Sequence, residues 1–171
     1  LDLRNLKYTC YAAFDGPFVI RYPRGKGEMK DWRNEMQVLP IGKGKKLCDG
    51  DDIAVLSIGP IGNEVIKAIE MVKEEGVSIA HYDMIYLKPL DEELLHEIGQ
   101  KYNRIITVEN GVIKGGFGSA VLEFMADNGY TPHVKRIGVP DAFIEHGSIP
   151  ELYQLCGMDA ESIAKQLKKE N

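Results

Sequence analysis

The sequence lacks several features that would place a protein in a function class at once. No apolar run approaches the roughly 20 residues that span a bilayer, and no basic segment followed by an apolar one indicates a signal peptide. Only three cysteines occur in 171 residues, and Cys10, Cys48 and Cys156 are too far apart for a metal-ligand motif or a disulfide framework. We therefore expect reduced thiols, a cytoplasmic location and no association with membranes.

Acidic residues outnumber basic ones, and only four histidines occur. The net charge of −5 argues against a surface that binds nucleic acid. The four histidines form no pair at the i, i+4 spacing and no cluster with cysteines, so we expect no metal site. No Gly-Lys-Ser/Thr phosphate loop and no Gly-x-Ser-x-Gly nucleophile elbow occurs. The spacing of Gly59-Pro60-Ile61-Gly62 differs from the dinucleotide-binding fingerprint, so it predicts a plain turn from a strand to a helix.

The sequence does contain a regular alternation of strand and helix patterns. A continuous apolar run at 53–58 is typical of a central strand that is covered on both faces. Asp49-Gly50, after a short strand at 45–48, predicts a hairpin. The other predicted strands are 77–81, 104–109 and 133–137, and the helices are 61–75, 91–102, 117–127, 149–156 and 159–169. This alternation predicts a three-layer αβα fold, whose mainly parallel sheet has one antiparallel edge strand.

The first 24 residues contain the strongest candidate for anion binding. A helix is predicted at 2–14, and the aromatic and β-branched residues at 18–22 predict a strand that Pro23 ends. Arg24 would then emerge at the carboxyl end of a strand, where ligands bind in open α/β sheets. Its guanidinium suits phosphate or carboxylate, whereas the alternative for Arg24 is a surface ion pair. Arg21 is better suited to pairing with an acidic side chain.

A linker is predicted between this first part and the αβα domain. Glycine, proline and charged residues dominate the stretch at 25–42. We expect Trp32 and Met36 to anchor it against a neighbouring surface.

Other polar and glycine-rich stretches are weaker candidates. Gly115-Gly116-Phe117-Gly118 opens a helix and could expose amides to an anion, but we favour a close approach of the loop to the sheet, with Phe117 in the core. A relay of Ser148, His146 and Glu109 would require a convergence that spacing does not indicate, and Ser148 suits a helix N-cap better. For Asp141 we expect a turn or cap role.

Several stretches taken together resemble a known family. They are Leu3-Arg4-Asn5, Tyr8-Thr9, Gly16-Pro17, Ile20-Arg21-Tyr22-Pro23-Arg24-Gly25, Pro40-Ile41-Gly42-Lys43-Gly44, Lys88-Pro89-Leu90-Asp91, Thr107-Val108-Glu109-Asn110-Gly111, Gly115-Gly116-Phe117-Gly118-Ser119 and 137–147. In order and spacing they resemble the C-terminal portion of the 1-deoxy-D-xylulose-5-phosphate synthases, which belong to the transketolase superfamily.

The resemblance implies an activity for a longer protein. Such an enzyme uses thiamine diphosphate and Mg²⁺, condenses pyruvate with glyceraldehyde 3-phosphate with loss of CO₂, and is a homodimer. Its product supplies isoprenoid, thiamine and pyridoxal synthesis. Because the chain begins at Leu1 instead of Met, we expect it to be a C-terminal fragment that is inactive alone and binds no cofactor.

On the family's plan, the chain divides into three parts. Residues 1–24 resemble the end of the pyrimidine-binding domain, 25–42 a linker, and 43–171 the transketolase C-terminal domain. Arg24 matches the arginine that holds the substrate phosphate, and no catalytic, cofactor-binding or metal-binding residue of the family is matched in this chain.

Two alternatives stay open from the sequence. The chain could be the C-terminal domain of another superfamily enzyme, either a transketolase or the β subunit of a 2-oxoacid dehydrogenase's decarboxylase. It could also be a non-catalytic αβα module for dimerisation or regulation.

Overall fold

The fold alternates strands and helices after an isolated N-terminal helix. The computed structural model describes residues 2–23 and 33–168. Helix α1 spans Asp2–Ala13, and a 3₁₀ turn at Lys73–Glu75 extends α2. The strands are β1 Lys45–Cys48, β2 Ile53–Ile58, β3 Ile79–Asp83, β4 Arg104–Val112 and β5 His133–Val139. The other helices are α2 Gly62–Val72, α3 Glu92–Lys101, α4 Phe117–Asp127, α5 Ile149–Leu155 and α6 Ala160–Leu167.

The five strands of the described ranges form one sheet in the order β1-β3-β2-β4-β5. Strand β1 runs antiparallel to β3, and the other pairs are parallel. Helices cover both faces, so the predicted three-layer αβα class with one antiparallel edge strand is confirmed. None of the helices described is long and apolar enough to cross a membrane.

The core has two halves, one on each face of the sheet. Ile53 and Val55 of β2 point to the half that α2 and α6 cover. Ala54 and Leu56 point to the half that α3 and α4 cover. Because successive side chains of a strand alternate between faces, β2 must be apolar throughout, and this explains the run at 53–58. Strand β2 lies between β3 and β4 and runs parallel to both, so the carboxyl ends of the three strands lie at the same edge of the sheet.

The predicted hairpin between β1 and β2 is wrong. Strand β1 pairs with β3 instead, while β2 lies between β3 and β4. The turn that contains Gly50 crosses the start of β3, where the amide of Asp52 donates to the carbonyl of Ser78 at 2.8 Å. A Cβ at Gly50 would lie 2.1 Å from the carbonyl carbon of Ile79. The glycine therefore permits a close crossing of two backbones and not a hairpin turn.

The predicted strand at 18–22 is also wrong. Residues 17–23 have no regular secondary structure, and Val19 is 93% exposed. A strand needs a neighbour for its backbone hydrogen bonds, and no neighbour exists for these residues within the described ranges. Phe18 still contacts its surroundings, because its ring packs edge-on against Phe14 at 5.2 Å and Tyr86 at 6.4 Å between centroids.

Residues 33–42 run beside α1 without forming a helix or strand. The hydroxyl of the buried Thr9 accepts a hydrogen bond from the amide of Leu39 at 2.8 Å, and Asn5 accepts one from the amide of Gln37 at 3.3 Å. Met36 is 52% exposed, so the described residues cover only about half of it, and its anchoring role stays a prediction. Trp32 lies outside them. Side chains of α1 therefore hold this segment through its backbone.

Four strand boundaries differ from the sequence predictions, because β3 also ends at Asp83 instead of 81. Strand β3 begins at Ile79 instead of 77, and β4 and β5 extend to Val112 and Val139. Val112 pairs with Val139 after an irregularity in the register. Residues 110–112, which follow the predicted strand, are therefore part of β4. Helix α3 begins as predicted, because Asp91 accepts a hydrogen bond from the amide of Leu94.

Candidate functional site

Arg24, the predicted anion-binding residue, lies outside the described residues. The structure describes the preceding residues up to Pro23, and Arg21, Tyr22 and Pro23 are all exposed. The ammonium of Lys7 lies 5.5 Å from the centre of the Tyr22 ring, a distance at which a cation is attracted to an aromatic face. Lys7 therefore places a positive charge beside Tyr22.

The glycine-rich start of α4 binds an internal carboxylate. Glu109, at 5% exposure, accepts hydrogen bonds from the amides of Phe117 at 2.9 Å and Gly118 at 2.8 Å. These amides have no partner within the helix, and the helix dipole favours a negative charge there. A Cβ at Gly116 would lie 2.3 Å from the same carboxylate. The glycines therefore let Glu109 reach the amides, and these two donors are not left for an external anion.

Close packing of this loop is confirmed. Phe117 is 1% exposed and lies in the core half that α3 and α4 cover. A Cβ at Gly118 would lie 2.4 Å from the hydroxyl of Thr107 in β4. Glycine at this position lets α4 approach the sheet.

The Ser148–His146–Glu109 relay is contradicted by the geometry. Both carboxylate oxygens of Glu109 accept backbone amides. The hydroxyl and the amide of Ser148 donate to Glu151 at 2.7 and 2.9 Å, and these bonds lower the pKa of the Glu151 carboxyl. The predicted N-cap position of Ser148 before α5 is confirmed. Asp141 pairs with Lys114 at 3.0 Å on the surface.

Gly59-Pro60-Ile61-Gly62 is a turn between β2 and α2, as predicted. Gly59 has a φ of 77°, which favours glycine. A Cβ at Gly62 would lie 2.8 Å from the hydroxyl of Ser57. The turn therefore brings the start of α2 onto the end of β2.

Sequence reasoning missed a buried polar pair beneath this turn. The hydroxyl of Ser57 and Nε2 of His81 share a hydrogen bond of 2.8 Å, and both residues are buried. Nδ1 of His81 has no hydrogen-bond partner among the residues described. Burial lowers the pKa of His81 to about 4. Two polar residues inside predicted central strands are the signal that could have revealed the pair.

We searched the described residues for side chains that could hold a metal ion. In the ranges 2–23 and 33–168, no three His, Cys, Asp or Glu side chains are grouped to hold a metal ion. Of the helix N-termini, the glycine-rich one at α4 is taken by Glu109.

The αβα fold, with its antiparallel edge strand, is that of a transketolase-type domain. The model of the family "Transketolase, C-terminal domain" matches residues 42–163. A solved split-gene transketolase, described as an inactive β4 tetramer, superposes with a TM-score of 0.68 at 31% identity, over 77% of this chain and 45% of that one. A transketolase from Campylobacter jejuni shares the fold at 13% identity, with a TM-score of 0.55 over 73% of this chain and 18% of that one.

The chain belongs to the transketolase C-terminal domain family. It is 98% identical over all 171 residues to a 1-deoxy-D-xylulose-5-phosphate synthase of Parabacteroides distasonis, and it covers 27% of that protein. It is 59% identical over 170 residues, which are 99% of this chain, to the synthase of Bacteroides thetaiotaomicron and covers 26% of it. The chain therefore spans about a quarter of the length of these relatives.

Proposed function

We propose that this chain is the C-terminal part of a 1-deoxy-D-xylulose-5-phosphate synthase. The observation that carries the proposal is the 98% identity over the whole chain to the Parabacteroides distasonis enzyme. The longer protein would condense pyruvate with glyceraldehyde 3-phosphate and release CO₂. Its product would serve isoprenoid, thiamine and pyridoxal synthesis. Thiamine diphosphate and Mg²⁺ would supply the chemistry of decarboxylation, and residues upstream of Leu1 would hold them.

An activity assay tests this proposal directly. The chain joined to the upstream segment of the Parabacteroides distasonis relative is expected to form 1-deoxyxylulose 5-phosphate from both substrates. The chain alone is expected to form none and to bind no thiamine diphosphate by calorimetry. Cofactor binding to the chain alone would contradict its proposed place in the enzyme, and an inactive joined protein that is folded would contradict the reaction.

We also propose a division of the chain into a terminal piece of the pyrimidine-binding domain at 1–24, a linker at 25–42 and the transketolase C-terminal domain at 43–171. The family match begins at residue 42. Both halves of the core are formed by residues between Ile53 and Leu167. A separate core in the third part supports this division.

Arg24 is proposed to hold the phosphate of glyceraldehyde 3-phosphate. In the longer enzyme, Arg24→Ala is expected to raise KM for glyceraldehyde 3-phosphate at least about tenfold, because a charge-assisted bond contributes about 1.5–3 kcal/mol. KM for pyruvate, which has no phosphate, is expected to change less than about twofold on the same reasoning. Steady-state kinetics with each substrate varied measures both values.

Arg21 provides the matched control for this experiment. It is an exposed arginine of the same segment, so Arg21→Ala removes the same charge three residues away. We expect Arg21→Ala to leave both KM values near those of the unchanged enzyme. If Arg24→Ala raised both KM values equally, the phosphate role would be wrong.

For assembly and location we propose a cytoplasmic homodimer. The net charge of −5 supports a protein that does not bind nucleic acid. The solved split-gene relative forms a β4 tetramer, which supports self-association in this fold. Light scattering of the joined protein would give the dimer mass if the proposal holds.

A further inference from the structure

A cavity of about 170 Å³ lies between α5 and the ends of β4 and β5. Asn110 of β4, Val139 of β5 and Ile144 of the following loop form one side. Residues of α5 and the buried Met158 form the other side. None of the lining residues carries a charge. Ile149 is 50% exposed, so the cavity is open to solvent beside it.

The cavity lies outside the carboxyl ends of β4 and β5, next to the point where the strand order reverses. From β2 the chain passes to β3 on one side and then returns to β4 on the other. The strand order therefore reverses between β2 and β4, and crevices form outside the carboxyl ends of strands at such a point. Glu109 of β4 is paired with Ile58, the last residue of β2. Asn110, the next residue, lines the cavity.

One wall of the cavity offers a hydrogen-bond acceptor. The side-chain amide of Asn110 donates to the hydroxyl of Tyr153 at 3.1 Å. The carboxamide oxygen of Asn110 receives no hydrogen bond from the residues that the structure describes. A ligand hydroxyl could donate to this oxygen, whereas a charged ligand would lose its hydration without an opposite charge.

We propose that the cavity binds a small, uncharged molecule that carries one hydroxyl on an apolar body about the size of a benzene ring. An apolar protein cavity of roughly 150 Å³ is large enough to hold benzene. Here the apolar walls contact the body of the ligand, and the carboxamide oxygen of Asn110 accepts a hydrogen bond from the ligand hydroxyl. This binding site goes beyond the proposed function, which assigns no role to the residues of the cavity.

Phenol and toluene, which have nearly the same shape, provide the test. Titration of the 171-residue chain with phenol is expected to shift the methyl NMR signals of Ile144 and Leu152 in a saturable way. Toluene is expected to bind at least about fivefold more weakly, because it cannot donate to Asn110. In Asn110→Leu, which has a similar volume, this preference for phenol should disappear.

Cys156→Leu fills part of the cavity and is expected to weaken the binding of both compounds at least about fivefold, because overfilling displaces the ligand. Cys10→Leu makes the same change on α1, outside the cavity, and should leave binding unchanged. Signals that do not saturate, or binding that is the same in Cys156→Leu, would overturn the site. Equal affinity for toluene and phenol would overturn the recognition of a hydroxyl.

Discussion

Replacing Glu109 with alanine is expected to lower the free energy of unfolding by about 3 kcal/mol. Two buried amides lose their acceptor, which destabilises the fold, and the removal of one buried charge offsets part of this loss. The carboxylate accepts the amides of Phe117 and Gly118 at the start of α4. Without it, both donors are buried without a partner. Urea unfolding monitored by circular dichroism measures the loss, and hydrogen exchange of the two amides shows whether it begins at α4.

Two further variants separate this effect from a loss of surface charge. Glu109→Gln keeps one carbonyl oxygen, so it should lose roughly half as much stability as Glu109→Ala. Glu123→Ala removes an exposed carboxylate from α4 and should change stability by less than about 0.5 kcal/mol. A loss below about 1 kcal/mol in Glu109→Ala would mean that water can replace the carboxylate at the start of α4. Glu109 would then not stabilise this helix start as proposed.

Local signals explain the parts of the fold that could be predicted. Asp91 predicts the start of α3, because an N-cap aspartate accepts an amide of the next turn. The bounds of α4 at Phe117–Asp127 agree with the prediction, since glycines precede it and apolar residues recur at helical spacing. These features depend only on neighbours a few residues away.

Pairing over long distances could not be predicted. The dipeptide Asp49-Gly50 is typical of a hairpin, but β1 pairs with β3, which follows about 30 residues later. The stretch at 18–22 has strand-forming side chains, and it still needs a partner that the described residues do not provide. Arg24 stays a prediction that rests on resemblance.

Two of the buried ionisable residues, Glu109 and His81, show the same limit. The position of Glu109 at a predicted strand end suggests a catalytic carboxylate. In the structure the chain after β4 turns back, and its amides donate to this carboxylate. His81 looks like an ordinary strand residue, and only the pairing of β2 with β3 brings it to Ser57. In both cases the role depends on a contact that spacing along the chain does not encode.

The buried His81 is expected to lower the free energy of unfolding in acid by about 3 kcal/mol. This value corresponds to roughly 1.4 kcal/mol for each unit by which the pKa of His81 differs between the folded and the unfolded protein. Burial lowers its pKa from 6.5 to about 4 in the folded protein. Between these values the unfolded chain binds a proton that the folded chain does not. Stability is therefore complete above pH 6.5, falls as the pH is lowered towards 4, and changes no further below that.

Comparison with His81→Gln isolates this contribution from other titrating groups. Burial raises the pKa of Asp83, which acts in the opposite sense, because its neutral form is favoured in the folded state. Glutamine can still bond to Ser57 but does not titrate. Urea unfolding at pH 7.5 and 4.0 should therefore show a smaller acid loss in His81→Gln, by about 3 kcal/mol, whereas the exposed His133→Gln should match the unchanged chain. Burial disfavours the charged form of His81, because an imidazolium there would hold a charge and an unpartnered Nδ1–H inside the core. NMR signals of the His81 ring that titrate near pH 6.5 would therefore contradict this explanation of the acid loss.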